Sequence, residues 1–304
     1  MIPVPTPPSG PFPFFGLFLN IPAWIYHKPM TGTLYLVATP IGNLSDISKR
    51  AIEVLGSSAV ILCEDTRHSG KLLNYLGIKK KLVSLHDHNE EERIPSVIPL
   101  LEDGKDVALI SDAGTPGISD PGYKLVREII ERGFTVSSIP GAVAFVNALV
   151  ASGLPTDAFF FGGFLPSKKM ERKSRLQELK DIPATVIFYE TPHRINAAID
   201  DCLNILGNRK AVIARELTKL HEEFIRGSLS EISDALKSRD LKGEMVLMID
   251  RHGDEGRAED ILSVSELVKS FEAEGHDSKV ALKLAARKLG ISKSEAYRIL
   301  QSEK

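Results

Sequence analysis

Five short apolar segments alternate with longer amphipathic segments between Thr33 and Gly153, and this alternation restricts the fold more than any other feature of the sequence. The apolar segments are nearly continuous, which is typical of strands buried on both faces of a sheet. The segments between them have the spacing of covering helices. We therefore predict an α/β domain with a mostly parallel sheet and strands in Thr33–Thr39, Ala59–Asp65, Leu82–Asp87, Asp106–Asp112 and Phe134–Pro140.

The pattern changes near Gly153, where more strands per helix follow. A hairpin is expected around Lys219–Glu222, so the second part is predicted to be α+β or mixed α/β. The predicted organisation is an N-terminal domain over residues 30–153, a second domain over 154–252 and a small helical region over 261–304. That last region, with a Gly-Ile-Ser turn at Gly290–Ser292, is either a helical cap or a helix-turn-helix-like module that binds RNA.

Residues 1–29 are rich in proline, glycine and aromatic residues and follow no helical or strand period. So many prolines argue against a signal peptide or a membrane span. We expect these residues to be a disordered extension, dispensable or preceding a biological start at Met30.

Charge and cysteine content narrow the functional classes. The formal net charge is −2, so contact with nucleic acid has to come from a local basic patch. The two cysteines, Cys63 and Cys202, are far apart and lack CxxC spacing. This argues against a disulfide framework and a zinc site, so no metal is expected, and it fits a reducing cytoplasm.

The loop "ISDAGTPGISDPG" after the fourth strand has the composition of a ligand cradle. Asp120 and Pro121 are predicted to be the N-cap and first residue of the next helix. The seven residues from Ala113 to Ser119 exceed what a strand-to-helix connection needs. The loop carries two aspartates and no Lys or Arg, which disfavours a phosphate ligand. A cationic ligand with hydroxyl groups, such as S-adenosylmethionine, fits this composition better.

Turn residues or polar residues follow three other strands of the predicted sheet. They are "ATPIGNLSD" with Pro40 and Gly42, "CEDTR" with Asp65, and "PGA" over Pro140–Ala142. The carboxyl ends of parallel strands meet at one edge, which is where ligands of open α/β sheets bind. The sequence therefore predicts one site at this edge.

Charged residues also follow two strands of the second domain. Glu190, His193 and Arg194 lie in "FYETPHR", and Arg215, Glu216, Thr218 and Lys219 lie in "ARELTKLHEEFIRG". They form either a site, or a set of salt bridges with a helix start at Thr191–Pro192. The segment Lys168–Lys180 and the chain from Lys279 onward are basic, and each is either a solvated helix face or a phosphate-contacting patch.

These motifs together resemble the bacterial ribosomal RNA small subunit methyltransferase I family. The resemblance rests on "GTLYLVATPIGNLSD", "CEDTR", "SDAGTPGISDPG", "PGAVAFVNALVASGLP", "GFLP", "FYETPHR" and "ARELTKLHEEFIRG", and it extends from Thr31 to Lys304. It implies a two-domain tetrapyrrole-methylase-like (class III methyltransferase) α/β fold, with a small C-terminal helical region. It also implies S-adenosylmethionine as cofactor, a homodimer, and 2′-O-methylation of a cytidine in the decoding region of 16S rRNA, on the assembled small subunit.

The resemblance also assigns residues. It places on the cofactor Pro40, Gly42, Asp112, Ala113, Gly114, Thr115, Ser119, Asp120, Pro140, Gly141 and Ala142. The strand-end positions favour Glu190 or Glu216 as general base, with Asp65 as a further candidate. The residues expected to grip RNA or substrate are Arg194, Arg215, Lys219, Lys168, Lys169, Arg172 and Lys173.

Two other functions stay open at this point. A tetrapyrrole methyltransferase would share the fold but would not need the basic helix and the helical tail. A non-catalytic nucleic-acid-binding protein would use the tail alone and would leave the strand-end loops unexplained.

Overall fold

The computed structural model describes residues 31–251, 264–289 and 291–302. The first five strands form a sheet with the order β3–β2–β4–β1–β5, and all neighbouring pairs are parallel. The strands are β1 Thr33–Val37, β2 Val60–Cys63, β3 Leu82–Ser84, β4 Val107–Leu109 and β5 Thr135–Ile139. The predicted parallel sheet is thus confirmed.

Both faces of this sheet are covered. On β1, Leu34 packs into one apolar cluster and Val37 into a second cluster on the opposite face, and neither side chain is exposed. Burial on both faces explains why the strands read as continuous apolar runs rather than alternating ones. The helices of this part of the chain are α1 Lys49–Ser57, α2 Thr66–Tyr75, α3 Glu90–Glu102 and α4 Tyr123–Glu131.

The start of α4 differs from the sequence prediction. The helix begins at Tyr123 after Gly122, whose φ of 130° is rarely adopted by other residues, so Asp120 is not its N-cap. The backbone N–H of Leu125 instead donates to Glu90 Oε1 at 2.7 Å. Glu90 is buried and comes from α3, so a residue distant in sequence satisfies this helix terminus. The Asp120 carboxylate is therefore left for another role.

The second sheet is mixed and has the order β6–β7–β10–β8–β9. Its strands are β6 Phe159–Phe164, β7 Thr185–Glu190, β8 Lys210–Arg215, β9 Glu223–Ser228 and β10 Met245–Ile249. β6 and β7 are parallel, while β10 is antiparallel to β7 and β8, and β8 and β9 form the predicted hairpin. The accompanying helices are α5 Ala144–Ser152, α6 Lys169–Leu179, α7 Ile195–Leu206 and α8 Leu229–Leu236.

Three helices follow in the last part of the chain, as the sequence predicts: α9 Val264–Ala273, α10 Ser278–Lys288 and α11 Lys293–Ser302. They share an apolar cluster that includes Leu267, Ala281 and Ala296. The contacts divide the chain into two compact units between Ala144 and Phe145, nine residues before the division expected from the sequence. The extension over residues 1–29 lies outside the described residues. Within the described part of the chain, none of the helices is long and apolar enough to cross a membrane.

Candidate active site

Hydrogen bonds join the loops after β1, β4 and β5 at the carboxyl edge of the first sheet. Thr39 and Gly114 exchange two backbone bonds, with N···O distances of 2.8 and 3.1 Å. The Thr39 hydroxyl also donates to the Ser111 carbonyl at 3.3 Å. The Thr115 hydroxyl donates to the Ala142 carbonyl at 3.2 Å. The structure therefore brings together these three predicted cofactor-binding loops.

Small residues permit this close approach. Gly114 has a φ of 84°, and a Cβ there would lie 3.3 Å from the Ile41 side chain. A Cβ on Gly141 would lie 2.7 Å from the Cβ of Ala38, closer than real Cβ atoms approach, so a larger residue would push the loops after β1 and β5 apart. Gly114 and Gly141, two of the predicted cradle glycines, are thus required by the close packing of the loops.

The same edge collects carboxylates. Burial raises the pKa of Asp120 to about 6, and the negative charges of Glu64, Asp112 and Asp87 add to the rise, while a hydrogen bond with Ser111 opposes it. Burial and the negative charges of Asp112, Asp87 and Asp65 raise the pKa of Glu64, while His86 opposes the rise. Mutual repulsion of this kind is relieved by a cation. A ligand with a sulfonium and an ammonium group therefore fits the donor set of this edge.

Two of these acids were absent from the sequence-based list of site residues. Glu64 follows β2 directly, and Asp87 lies three residues after β3. Both lie at the ends of predicted strands, a signal that could have found them, although only Asp65 of "CEDTR" was predicted to belong to the site. Asp65 is instead the N-cap of α2, and its carboxylate binds the Arg67 guanidinium at 3.0 Å. The hydrogen bonds from Arg67 lower the pKa of Asp65 to about 2 and occupy both of its carboxylate oxygens, which argues against a role as general base.

The second sheet also brings its predicted strand ends together. Glu190 of β7 and Arg215 of β8 both pair with Met245 of β10, and Arg215 pairs with Glu223 of β9. Arg215 Nε donates to Glu223 Oε2 at 2.7 Å, and Arg239 binds the same carboxylate. Much of the charge at this edge is therefore used within the protein.

Glu190 is enclosed. Its side chain has 0% exposure, and its Oε2 lies 3.4 Å from Arg194 Nε. Arg194 also donates to the Leu165 carbonyl, which anchors the start of the loop after β6. Burial raises the pKa of Glu190, but a carboxylate with no accessible surface cannot reach a substrate proton. The structure thus argues against Glu190 as general base and gives it, with Arg194, a structural role.

Arg172 is a clear correction among the predicted RNA contacts. Its side chain is 7% exposed and forms a salt bridge to Asp201 with an N···O distance of 2.7 Å. It also donates to the carbonyls of Pro166 and Ser167. Buried Arg is stable only when paired in this way, so Arg172 ties α6 to α7 and is not available to RNA.

The β8–β9 loop holds the third candidate base. Glu216 and Thr218 have φ values of 50° and 64°, in the left-handed region that non-glycine residues avoid. Glu216 Oε1 accepts from Lys219 Nζ at 2.9 Å, and this bond lowers the pKa of Glu216. The Lys219 side chain is 33% exposed and the Glu216 side chain 21%, so both reach the surface. Strain of this kind is often found at functional sites.

Among the remaining predicted RNA contacts, Lys168 and Lys169 are exposed and Lys173 is half-buried. Lys168 pairs with Glu171 at 2.9 Å, and Lys173 lies 3.8 Å from Asp201. The exposed Lys168–Glu171 pair contributes little energy, so Lys168 is able to exchange partners, whereas Lys173 lies beside the buried Asp201. In the described residues, no group of three or more His, Cys, Asp or Glu side chains is arranged to hold a metal ion.

The two-sheet α/β fold with a glycine-rich, acidic strand edge places the chain among the tetrapyrrole methylases. The family model for Tetrapyrrole (Corrin/Porphyrin) Methylases matches residues 33–233. The solved uroporphyrin-III-C-methyltransferase from Thermus thermophilus has the same fold, with a TM-score of 0.52 and 20% identity over 74% of this chain and 98% of that one.

Curated relatives narrow the assignment. A ribosomal RNA small subunit methyltransferase I from Halalkalibacterium halodurans is 48% identical over 276 residues, which are 90% of this chain and 96% of the relative. The protein of that name from Mesorhizobium japonicum is 46% identical over 275 residues, 90% of this chain and 92% of the relative. The chain belongs to the ribosomal RNA small subunit methyltransferase I family. It is an S-adenosylmethionine-dependent methyltransferase.

Proposed function

We propose that this protein transfers a methyl group from S-adenosylmethionine to the 2′-hydroxyl of a cytidine ribose in the decoding region of 16S rRNA. The main support for S-adenosylmethionine as cofactor is the acidic, glycine-rich edge formed by the loops after β1, β4 and β5. The loop after β4 has no Lys or Arg between Ser111 and Gly122. The family relationship supports the RNA part.

The cofactor would lie on the predicted residues from Pro40 to Gly42, from Asp112 to Asp120 and from Pro140 to Ala142. The cofactor supplies a methyl group bound to a positively charged sulfur. Transfer neutralises that sulfur, so a carboxylate against it would favour the ground state over the transition state. Asp120 and Glu64 are therefore assigned to the ammonium group or the ribose hydroxyls of the cofactor, away from the sulfur.

A ribose hydroxyl needs a proton acceptor when it attacks. Of the three predicted bases we favour Glu216, because Glu190 is enclosed and Arg67 binds both carboxylate oxygens of Asp65, whereas Lys219 binds Glu216 through Oε1. Lys219 orients the Glu216 carboxylate through the 2.9 Å contact. The strained loop holds this pair at the end of β8 in a fixed geometry, which is what proton transfer requires.

RNA phosphates would be held by exposed cations of α6, including Lys168 and Lys169, and by the last three helices. On α10, Lys279, Lys283 and Arg287 are exposed and lie four residues apart, so they form one basic stripe. We propose that α9–α11 form the RNA-binding module. The substrate is the assembled small subunit, and the enzyme acts as a homodimer in the cytoplasm.

Labelled S-adenosylmethionine tests the proposal directly. The protein is incubated with unmethylated small ribosomal subunits, with naked 16S rRNA and with a porphyrinogen. Label is expected in the RNA of the assembled subunit, at a cytidine 2′-oxygen. Label in the porphyrinogen alone would support the tetrapyrrole alternative, and a protein that binds no cofactor would be a nucleic-acid-binding protein only.

A further inference from the structure

The strand β6 contains an irregularity that changes where Phe164 points. Phe161 pairs with Ile187 and Phe164 pairs with Tyr189, so three steps along β6 match two along β7. Side chains alternate between the faces of a sheet, and an unbroken β6 would turn Phe164 to the helix-covered face that holds Phe188. The one-residue bulge therefore turns Phe164 to the opposite face, where Phe161 and Tyr189 lie.

Two glycines make the bulge possible. Gly163 has a φ of 64°, in the left-handed region. Gly162 lies against Phe188, and a Cβ on Gly162 would be 2.6 Å from that ring. The two glycines of "FGGF" therefore place Phe164 on the same face as Phe161 and Tyr189. Bulges commonly redirect a side chain in this way beside an active site.

Phe164 is the last member of an aromatic ladder consisting of Phe159, Phe145, Phe161, Tyr189 and Phe164. Phe145 stacks on Phe161 with the ring centroids 4.3 Å apart. Tyr189 contacts Phe161 and Phe164 edge-on, at 4.9 and 5.6 Å. The ladder fixes the Phe164 ring on one side, and 50% of the Phe164 surface remains exposed. A rigid, half-exposed ring at the carboxyl end of a strand is prepared for a flat partner.

The surrounding charge identifies that partner. The exposed residues Lys168 and Lys169 follow Phe164 by four and five residues, so they lie within about 18 Å of it along the chain. Sites for single-stranded nucleic acid combine cations for the backbone with aromatic rings on which bases stack. Sequence-specific recognition of RNA mostly uses unstacked bases, which are splayed out and stacked on aromatic side chains. We propose that Phe164, held by Tyr189, is the stacking platform for the unstacked pyrimidine base of the RNA substrate.

This inference rests on the proposed RNA substrate and adds a specificity-determining residue to it. The test compares Phe164→Ala, Phe164→Trp and the matched control Phe159→Ala, using unmethylated small subunits and labelled S-adenosylmethionine. Phe159 is the same residue type on the same face of β6 and is 47% exposed, and it contacts Phe145 at the other end of the ladder and of the strand. Thermal melting of all variants establishes that they are folded.

Phe164→Ala is expected to lower kcat/KM for the subunit by roughly 5- to 150-fold, the range found when a stacking ring is removed. Phe164→Trp is expected to retain activity, Phe159→Ala to remain within about twofold of the wild type, and cofactor affinity to be unchanged in all three. This pattern would support a base platform and would not arise from a merely structural role.

Three results would overturn the inference. Cofactor affinity that falls as much as kcat/KM would assign the ring to the adenine of the cofactor. Loss of activity together with dissociation into monomers would assign it to a subunit interface. Full activity of Phe164→Ala would show that no base stacks there. A wild-type protein that methylates no RNA would contradict the proposed function instead, so the two failures are distinguishable.

Discussion

The carboxyl edges of the two sheets carry similar polar sequences but use them differently. At the first edge, backbone bonds between Thr39 and Gly114 hold the loops, so the carboxylates of Glu64 and Asp120 are left to repel one another. At the second edge, side-chain charges hold the structure, with Glu190 on Arg194 and Arg215 on Glu223. The position of a polar residue at a strand end thus predicts that the residue lies at the sheet edge. The partners of its side chain determine whether that side chain can bind a ligand.

The largest expected effect separates the two glutamates of the second edge. Glu216→Gln should lower the single-turnover methyl transfer rate by roughly 100- to 10,000-fold, the usual contribution of a general base, with little change in melting temperature. Glu190→Gln should mainly lower the melting temperature, because Arg194 would lose its buried partner. Both variants are measured at saturating cofactor. A Glu216→Gln enzyme with a near-normal rate would remove Glu216 from the mechanism.

Arg172 tests the assignment of buried charge to the fold. Arg172→Ala should lower the free energy of unfolding by about 3–5 kcal/mol, because Asp201 would remain buried without its partner. Lys169→Ala, an exposed cation three residues away on the same helix, should change it by less than about 0.5 kcal/mol. Urea denaturation measures both. Equal, small effects would mean that Arg172 is not needed for stability.

The sequence predicted the strands of the first sheet and the loops that meet at its edge, because both follow from local apolar periodicity and from turn residues. It did not predict which charges are neutralised. Arg172 and Asp201 are 29 residues apart in the chain, and the bond between Glu90 and Leu125 spans 35 residues. Pairings over such distances depend on how helices pack. The sequence therefore predicts a local N-cap at Asp120–Pro121, whereas in the structure Glu90 of α3 accepts from the N-terminus of α4.

The next largest expected effect is the loss of stability when the acceptor at the N-terminus of α4 is removed. Glu90→Ala should cost about 1–2 kcal/mol of stability, since the Leu125 N–H would lose its acceptor at a helix N-terminus. Asp120→Ala should not destabilise the fold in this way, because Asp120 is not a cap of α4. Chemical denaturation of the two variants compares them. A larger loss for Asp120→Ala would restore the cap expected from the sequence.

The raised pKa of Asp120 gives opposite pH trends for folding and for binding. The folded state holds the Asp120 proton up to a pH of about 6, above the usual value for the unfolded chain, so its contribution to stability falls as pH rises from about 4 to 6. The proposed contact of Asp120 with the cofactor needs the ionised form, so affinity should rise in the same window, by up to about tenfold per pH unit. Calorimetric titration measures the affinity. Asp120→Asn should flatten both trends, and an unchanged profile would exclude Asp120.

Removing the basic stripe of α10 should give the smallest effect, a change in the salt dependence of RNA affinity. The measurement tests which cations of the protein bind RNA phosphates. Replacing Lys279, Lys283 and Arg287 by alanine should reduce the slope of log affinity against log salt by roughly 2 to 3, because each phosphate contact contributes about 0.7–0.9. The matched control replaces Lys79, Lys80 and Lys81, which removes the same charge from the first unit. An equal change in both variants would attribute the effect to net charge. A change confined to α10 would assign phosphate binding to the last helices, in contrast to the paired charges of the second sheet.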